Sequence, residues 1–230
     1  MRLDHKPAQH AESVLIHAIL DGGFPPGSSL PAERDLATRL GITRPTLRET
    51  LKQLDRDGWL TIRHGKATLV NHYWADGGLN VLSSIVRVGA DLPHEFISHL
   101  LQIRLILAPA YTKLAVARDT ADIMTLLADA PDLNEDPSVW TDFDWTLQHH
   151  LARNSGNPVF ALILNGFRDL FAQMGPTYFA NPEACAASAS FYAELVACCR
   201  RNDSVGAARV TKKAMKQSLL FWQKVNEVVA

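Results

Sequence analysis

Cysteine is scarce in this chain of 230 residues, which has only Cys185, Cys198 and Cys199. The number is odd and no two are spaced C-x-x-C, which argues against a disulfide framework and against a cysteine-ligated zinc site. No run of about 18 apolar residues is present to span a bilayer, and the opening MRLDHKPAQH lacks the apolar stretch of a secretory signal. These absences predict a cytoplasmic protein with no membrane partner. Also missing are G-x-x-x-x-G-K-[ST], H-E-x-x-H, G-x-S-x-G and a clear dinucleotide fingerprint. Scattered Ser, His and Asp residues make no triad without geometry, so catalysis is not expected. An excess of charge of one sign is lacking too, with 23 Lys+Arg against 24 Asp+Glu. Residues 1–72 hold 10 against 8, or +2, and residues 73–230 hold 13 against 16, or −3. So slight an asymmetry does not establish nucleic-acid binding; the placement of the charges has to carry that argument.

What is present is helical pattern interrupted by glycine. AESVLIHAILDGGF spaces Val14, Leu15, Ala18 and Ile19 for a helix that should end near Asp21, before Gly22 and Gly23. PPGSSLPAERDLATRLG is a turn-rich stretch and then a short helix closed by Gly41. The next helix is predicted over Arg44–Asp57, with Thr43 as cap, Pro45 in its first turn and Leu47, Leu51 and Leu54 at i, i+4 and i+7. WLTIR and ATLVN then alternate about HGK as two short strands with a tight turn. Three helices followed by a ribbon, with only a tight turn between the second and third, is the order of a winged helix-turn-helix.

The pattern predicts a mainly α protein in two domains. Residues 1–72 form the winged helix-turn-helix, residues 73–80 around Gly77 and Gly78 a linker, and residues 81–230 an all-α helical bundle. In the bundle, Phe96, Leu100, Ile103 and Leu107 share a face, SGNP sets a helix stop at Gly156 and a cap at Asn157, and the stretch from Arg201 makes a long final helix.

A helix N-terminus ordinarily favours carboxylates, yet this third helix opens with Thr43, Arg44, Pro45 and Thr46, and places Arg48 a turn later. In a helix-turn-helix that end points at base edges in the major groove. Arg44 can there donate bidentately to guanine O6 and N7, a contact worth roughly 1 to 3 kcal/mol of discrimination. Thr43 and Thr46 suit phosphates or base edges, and Arg34 can approach the same groove. His64, Gly65 and Lys66 form the tip of the ribbon, where a glycine permits close backbone approach to a minor groove or its phosphates. Any one of these residues alone reads as ordinary surface; the ordered set does not.

LPAERDLATRLGITRPTLRETLKQLDRDGWLTIRHGKAT resembles the DNA-binding region of GntR-type bacterial regulators. RHGKATLVN, GLNVL, SGNPVFALILNGF and YFANPEA extend the resemblance, from about residue 12 to the last helix, to the FadR group of fatty acid metabolism regulators. The resemblance implies a homodimer that represses, and in some settings activates, by binding a palindromic double-stranded operator, and that long-chain acyl-CoA releases. It places operator reading on Arg34, Thr43, Arg44, Thr46, Arg48, His64, Gly65 and Lys66. Pro45 departs from the threonine of the family's pattern, which removes a hydroxyl that could touch DNA.

On the effector side, Met215, Ser218 and Trp222 lie at i, i+3 and i+7 along one face of the last helix. A methionine and a tryptophan so placed also describe an ordinary core stripe. The resemblance assigns the positions of Ser218 and Trp222 to the acyl-CoA response, and has glycine where Met215 stands, which bears on pocket depth and acyl length. Arg104, within LLQIRLIL, is a charge that needs a partner if buried and could face the CoA head region or an acidic neighbour. Tyr178 is a further candidate wall residue. Lys212, Lys213 and Lys216 could meet CoA phosphates, although a solvated helix face is the better account of each. An organic acid, as in other GntR-type proteins, is the alternative effector. Many such proteins hold a metal through one aspartate and three histidines. Here Asp144 is present, Gln148 stands at a histidine position, and the adjacent His149 and His150 point about 100° apart on a helix, so no metal and no cofactor are expected.

Overall fold

The computed structural model describes residues 5–63, 65–89 and 96–229. The chain divides into two compact units, Met1–Asp91 and Leu92–Ala230.

The first unit contains α1 (His5–Leu20), α2 (Glu33–Leu40), α3 (Arg44–Asp57), β1 (Leu60–Thr61), β2 (Leu69–Val70), α4 (Tyr73–Asp76) and α5 (Leu79–Val88). Helix α3 has the limits that its pattern predicts, for local reasons. The Thr43 side chain accepts from the Thr46 amide at 3.3 Å, Pro45 occupies the first turn, and Gly58 at φ 94° ends the helix in a left-handed cap. Gly41 at φ 65° closes α2 in the same way. Leu47, Leu51 and Leu54 are buried against α1, whose Leu15, Ile16 and Ile19 are buried in turn. The ribbon is antiparallel, with Leu60 opposite Val70 and Thr61 opposite Leu69. The turn-rich stretch before α2 contributes to it. The Gly27 amide donates to the Val70 carbonyl at 2.8 Å and the Leu30 amide to the Thr68 carbonyl at 2.9 Å, so residues 27–30 run alongside β2.

Of the glycine pair read as a linker, Gly77 is tightly packed while Gly78 has open space beside it. A Cβ on Gly77 would stand 2.4 Å from the Tyr73 carbonyl oxygen and 2.6 Å from Val81, and one on Gly58 would meet the Gly77 Cα at 3.1 Å. Helix α5 then packs on α1 and α3 within the first unit. Its Ser84 and Arg87 donate to the buried Asp57 at 3.2 and 3.4 Å, and Arg87 also reaches Glu12 at 2.6 Å.

The second unit is helical among its described residues: α6 (Phe96–Arg118), α7 (Thr120–Leu127), α8 (Pro137–Asn154), α9 (Pro158–Asn165), α10 (Arg168–Phe179), α11 (Pro182–Arg200) and α12 (Ser204–Val229). Helices α6 and α12 share the most extensive contact, and α8 packs on α6 and α10. Asparagine caps with a following proline start α9, where Val159 donates to Asn157 at 3.0 Å, and α11, where Glu183 donates to Asn181 at 2.9 Å. Trp140 is fully buried and stacks near Phe179 and Tyr192, at ring-centroid separations of 5.8 and 6.1 Å. Among the described residues one helix, α6, is long and apolar enough on average to cross a membrane, which the search for an unbroken apolar run did not register. It carries Arg104 in an ion pair and packs against α7, α8 and α12. All three cysteines are buried and unpaired, and burial pushes their thiols up, that of Cys199 to about 11.

Gly77→Ala should lower the stability of the first unit by about 1 to 3 kcal/mol, because the new methyl collides with the Tyr73 backbone as well as with the short, stiff Val81 side chain. Thermal denaturation followed by circular dichroism measures it, and a melting temperature unchanged from wild type would contradict the packed reading of this glycine.

Candidate nucleic-acid interface and effector cavity

Of the predicted DNA-reading residues, Arg34, Thr43, Arg44, Arg48, Gly65 and Lys66 are exposed, Thr46 is half-buried, and His64 lies outside the described residues. Thr43, Arg44 and Thr46 are brought together at the start of α3. The two threonine hydroxyls lie 2.9 Å apart, so one hydroxyl hydrogen is used between them and the other is left for a phosphate or base edge. Arg48 donates from Nε to Glu33 at 2.7 Å and Arg34 to Asp35 at 3.2 Å, pairings the sequence reading did not foresee. These guanidiniums are 61% and 75% exposed. Ion pairs so exposed contribute about 0 to 1 kcal/mol, so a phosphate can displace the carboxylates at little cost. Arg44 has no ion-pair partner among the described residues. At the ribbon turn, Gly65 sits at φ 69° and the Lys66 amide donates to the Arg63 carbonyl at 3.2 Å.

In the second unit Arg104, Tyr178, Met215, Ser218 and Trp222 line one cavity of about 120 Å³, walled largely by apolar side chains from α6, α8, α10, α11 and α12. The i, i+3, i+7 face of α12 is therefore both core and cavity wall: Met215, Ser218 and Trp222 are all buried and all border the void. Tyr178 donates to the Ser218 hydroxyl at 3.0 Å, and Ser218 donates to the Ala214 carbonyl at 3.2 Å.

Arg104 takes the acidic-neighbour alternative. Its guanidinium pairs with Asp144 on α8 at 2.5 Å and lies over the Phe171 ring, 5.3 Å from the centroid. The other Asp144 oxygen accepts from Tyr192 at 3.1 Å. The Arg104 pKa is raised: burial opposes its charge, but the Asp144 carboxylate outweighs burial. Burial raises Tyr111, Tyr178 and Tyr192, so these phenols stay protonated as hydrogen-bond donors. Asp144, weighed in sequence as a metal ligand, is the anchor of this ion pair. No group of three His, Cys, Asp or Glu side chains that could hold a metal occurs among the described residues. Lys213 pairs with Glu194 at 2.9 Å, and Lys212 and Lys216 are exposed.

Sequence reasoning missed the contributions of Tyr111, Gln148 and Tyr192 to this cavity and its polar centre. Tyr111 donates to Gln148 Oε1 at 2.6 Å. The i, i+4 spacing of Asp144 and Gln148 was the available signal that both point to one place.

A winged helix-turn-helix with an open, arginine-bearing recognition helix, on the same chain as a helical domain with an internal cavity, is the build of a transcription regulator. Residues 7–70 match the bacterial regulatory proteins of the gntR family, and residues 71–230 match the FadR C-terminal domain. The chain belongs to the gntR family of bacterial regulatory proteins, in the branch with a FadR C-terminal domain. It is 43% identical over 189 residues to the fatty acid metabolism regulator protein of Shewanella halifaxensis, covering 82% of this chain and 79% of that one. It is 42% identical over 201 residues to the protein of the same name from Edwardsiella ictaluri, with 86% and 84% covered. To that of Yersinia pestis it is 38% identical over 219 residues, with 95% and 92% covered. Among solved structures it is similar in fold to Lar, which controls expression of the agr system of Listeria monocytogenes, at TM-score 0.63 and 16% identity over 97% of this chain and 98% of that one.

Met215→Ala should enlarge the cavity and destabilise the second unit by roughly 2 to 5 kcal/mol, the cost of an unfilled large-to-small change. Calorimetric melting checks this, and an unchanged transition would mean that Met215 is not packed as described.

Proposed function

We propose that the chain is an acyl-CoA-responsive transcription regulator of fatty acid metabolism, working in the cytoplasm. It binds a palindromic operator as a homodimer and is released from it by long-chain acyl-CoA. The observation that carries this reading is the cavity itself: Arg104, Tyr178, Met215, Ser218 and Trp222, named from sequence, border one apolar void in a FadR C-terminal domain. The names of the relatives in Shewanella, Edwardsiella and Yersinia support the metabolic assignment.

On DNA, each recognition helix of the dimer enters one of two adjacent major grooves. Arg44 reads a guanine while Thr43, Thr46 and the amides at the start of α3 hold phosphates. Arg34 and Arg48 exchange their carboxylates for phosphates, and the ribbon tip at His64, Gly65 and Lys66 touches the neighbouring groove. The void of about 120 Å³ is smaller than the 300 to 1,000 Å³ usual for small-molecule sites, so a long acyl chain enters by displacing lining side chains. Met215 and Trp222 on α12 are the ones we assign to that movement. The ligand shifts the operator equilibrium only by binding the released arrangement more tightly than the DNA-bound one. The size of the void favours a second reading, a small organic acid as effector; its apolar walls and the already neutralised Arg104 favour the acyl chain.

Gel-shift titration with palmitoyl-CoA should weaken operator binding, and unchanged affinity at saturating ligand would overturn the acyl-CoA response. Arg44→Ala should reduce operator affinity about 10- to 100-fold with a much smaller loss on random duplex. Equal losses on both would remove Arg44 from base reading.

A further inference from the structure

Most polar side chains of the cavity are hydrogen-bonded to one another, and among the fully buried polar atoms of the described residues that border it there are two exceptions. Arg104, Asp144 and Tyr192 form one set, and Tyr178 and Ser218 another. The exceptions are the Gln148 amide nitrogen and the Trp222 indole nitrogen, both buried without a partner and both on residues that border the void. Gln148 is 2% exposed, so water outside the fold does not serve it.

The orientation of the Gln148 amide follows from its neighbours. Tyr111 donates its phenolic hydrogen to Gln148 Oε1 at 2.6 Å. With Oε1 taken by the phenol, Nε2 and its two N–H groups are left without an acceptor on a residue that borders the cavity. A buried donor without an acceptor is costly, and a ligand that supplies the acceptor recovers that cost as affinity. A saturated acyl thioester brings a single carbonyl oxygen to a cavity with two unmet donors on different helices, α8 and α12. An oxygen within the acyl chain supplies the second acceptor.

We propose that Gln148 makes this cavity selective for acyl groups bearing an oxygen substituent, a hydroxyl or keto group, over plain hydrocarbon chains of equal length. The proposal rests on the acyl-CoA reading of the cavity and specifies its substrate class. Calorimetric titration of the full-length protein with palmitoyl-CoA and with a set of positional hydroxypalmitoyl-CoA isomers tests it. One isomer should bind at least about tenfold more tightly than palmitoyl-CoA, the effect of one recovered buried hydrogen bond. Gln148→Leu should abolish that preference while palmitoyl-CoA still binds. The double variant Tyr111→Phe with Gln148→Leu removes the phenol that the single change leaves unpaired, and should behave likewise if the single variant folds poorly. Palmitoyl-CoA binding with no isomer preferred, or a preference that survives in the variants, would overturn the role of Gln148 alone. Failure of every acyl-CoA to bind would overturn the acyl reading and this proposal with it.

Discussion

The second unit is organised around one charge that cannot stand alone. Arg104 enters the interior from α6, and an unpaired guanidinium there would cost several kcal/mol. Asp144 on α8 meets it, Tyr192 on α11 holds the other carboxylate oxygen, and Phe171 on α10 lies beneath it. Four helices are thereby registered on a single ion pair. The burial that makes the pair demanding also raises the surrounding phenols, so hydroxyls remain donors inside an otherwise apolar wall. A cavity in such a place has chemical character as well as volume, because it adjoins a fixed polar centre.

The first unit has the opposite economy. Its active end is kept open, with Thr43 using its side chain to cap α3 and Arg44 left in solvent one residue later. Behind it, Leu47, Leu51 and Leu54 anchor the same helix in the core. Asp57, at the far end of α3, accepts from Ser84 and Arg87 of α5. One helix is therefore exposed at its start, buried along one face and bound at its finish to α5.

Much of this was legible in the sequence where the determinants are local. Caps, glycine stops and leucine spacing marked α3 residue by residue, and the asparagine-proline starts of α9 and α11 follow the same rules. What escaped were contacts between residues distant along the chain. The Arg48–Glu33 pair joins two helices that were read separately. The close approach of Gly58 and Gly77 turns an apparent linker into packed backbone. Gln148 was weighed only as a histidine position left unfilled, and its pairing with Tyr111 depends on how α6 and α8 face each other. Arg104 was recognised as needing a partner, but the choice between a ligand and a carboxylate is made by packing.

The three thiols add a property to the second unit. All are enclosed, and their acidity is suppressed, with Cys199 at about 11. The thiolate rather than the thiol is the reactive form, so burial that suppresses acidity suppresses reactivity with it. The three sulfurs therefore serve this interior as small apolar side chains rather than as reactive thiols.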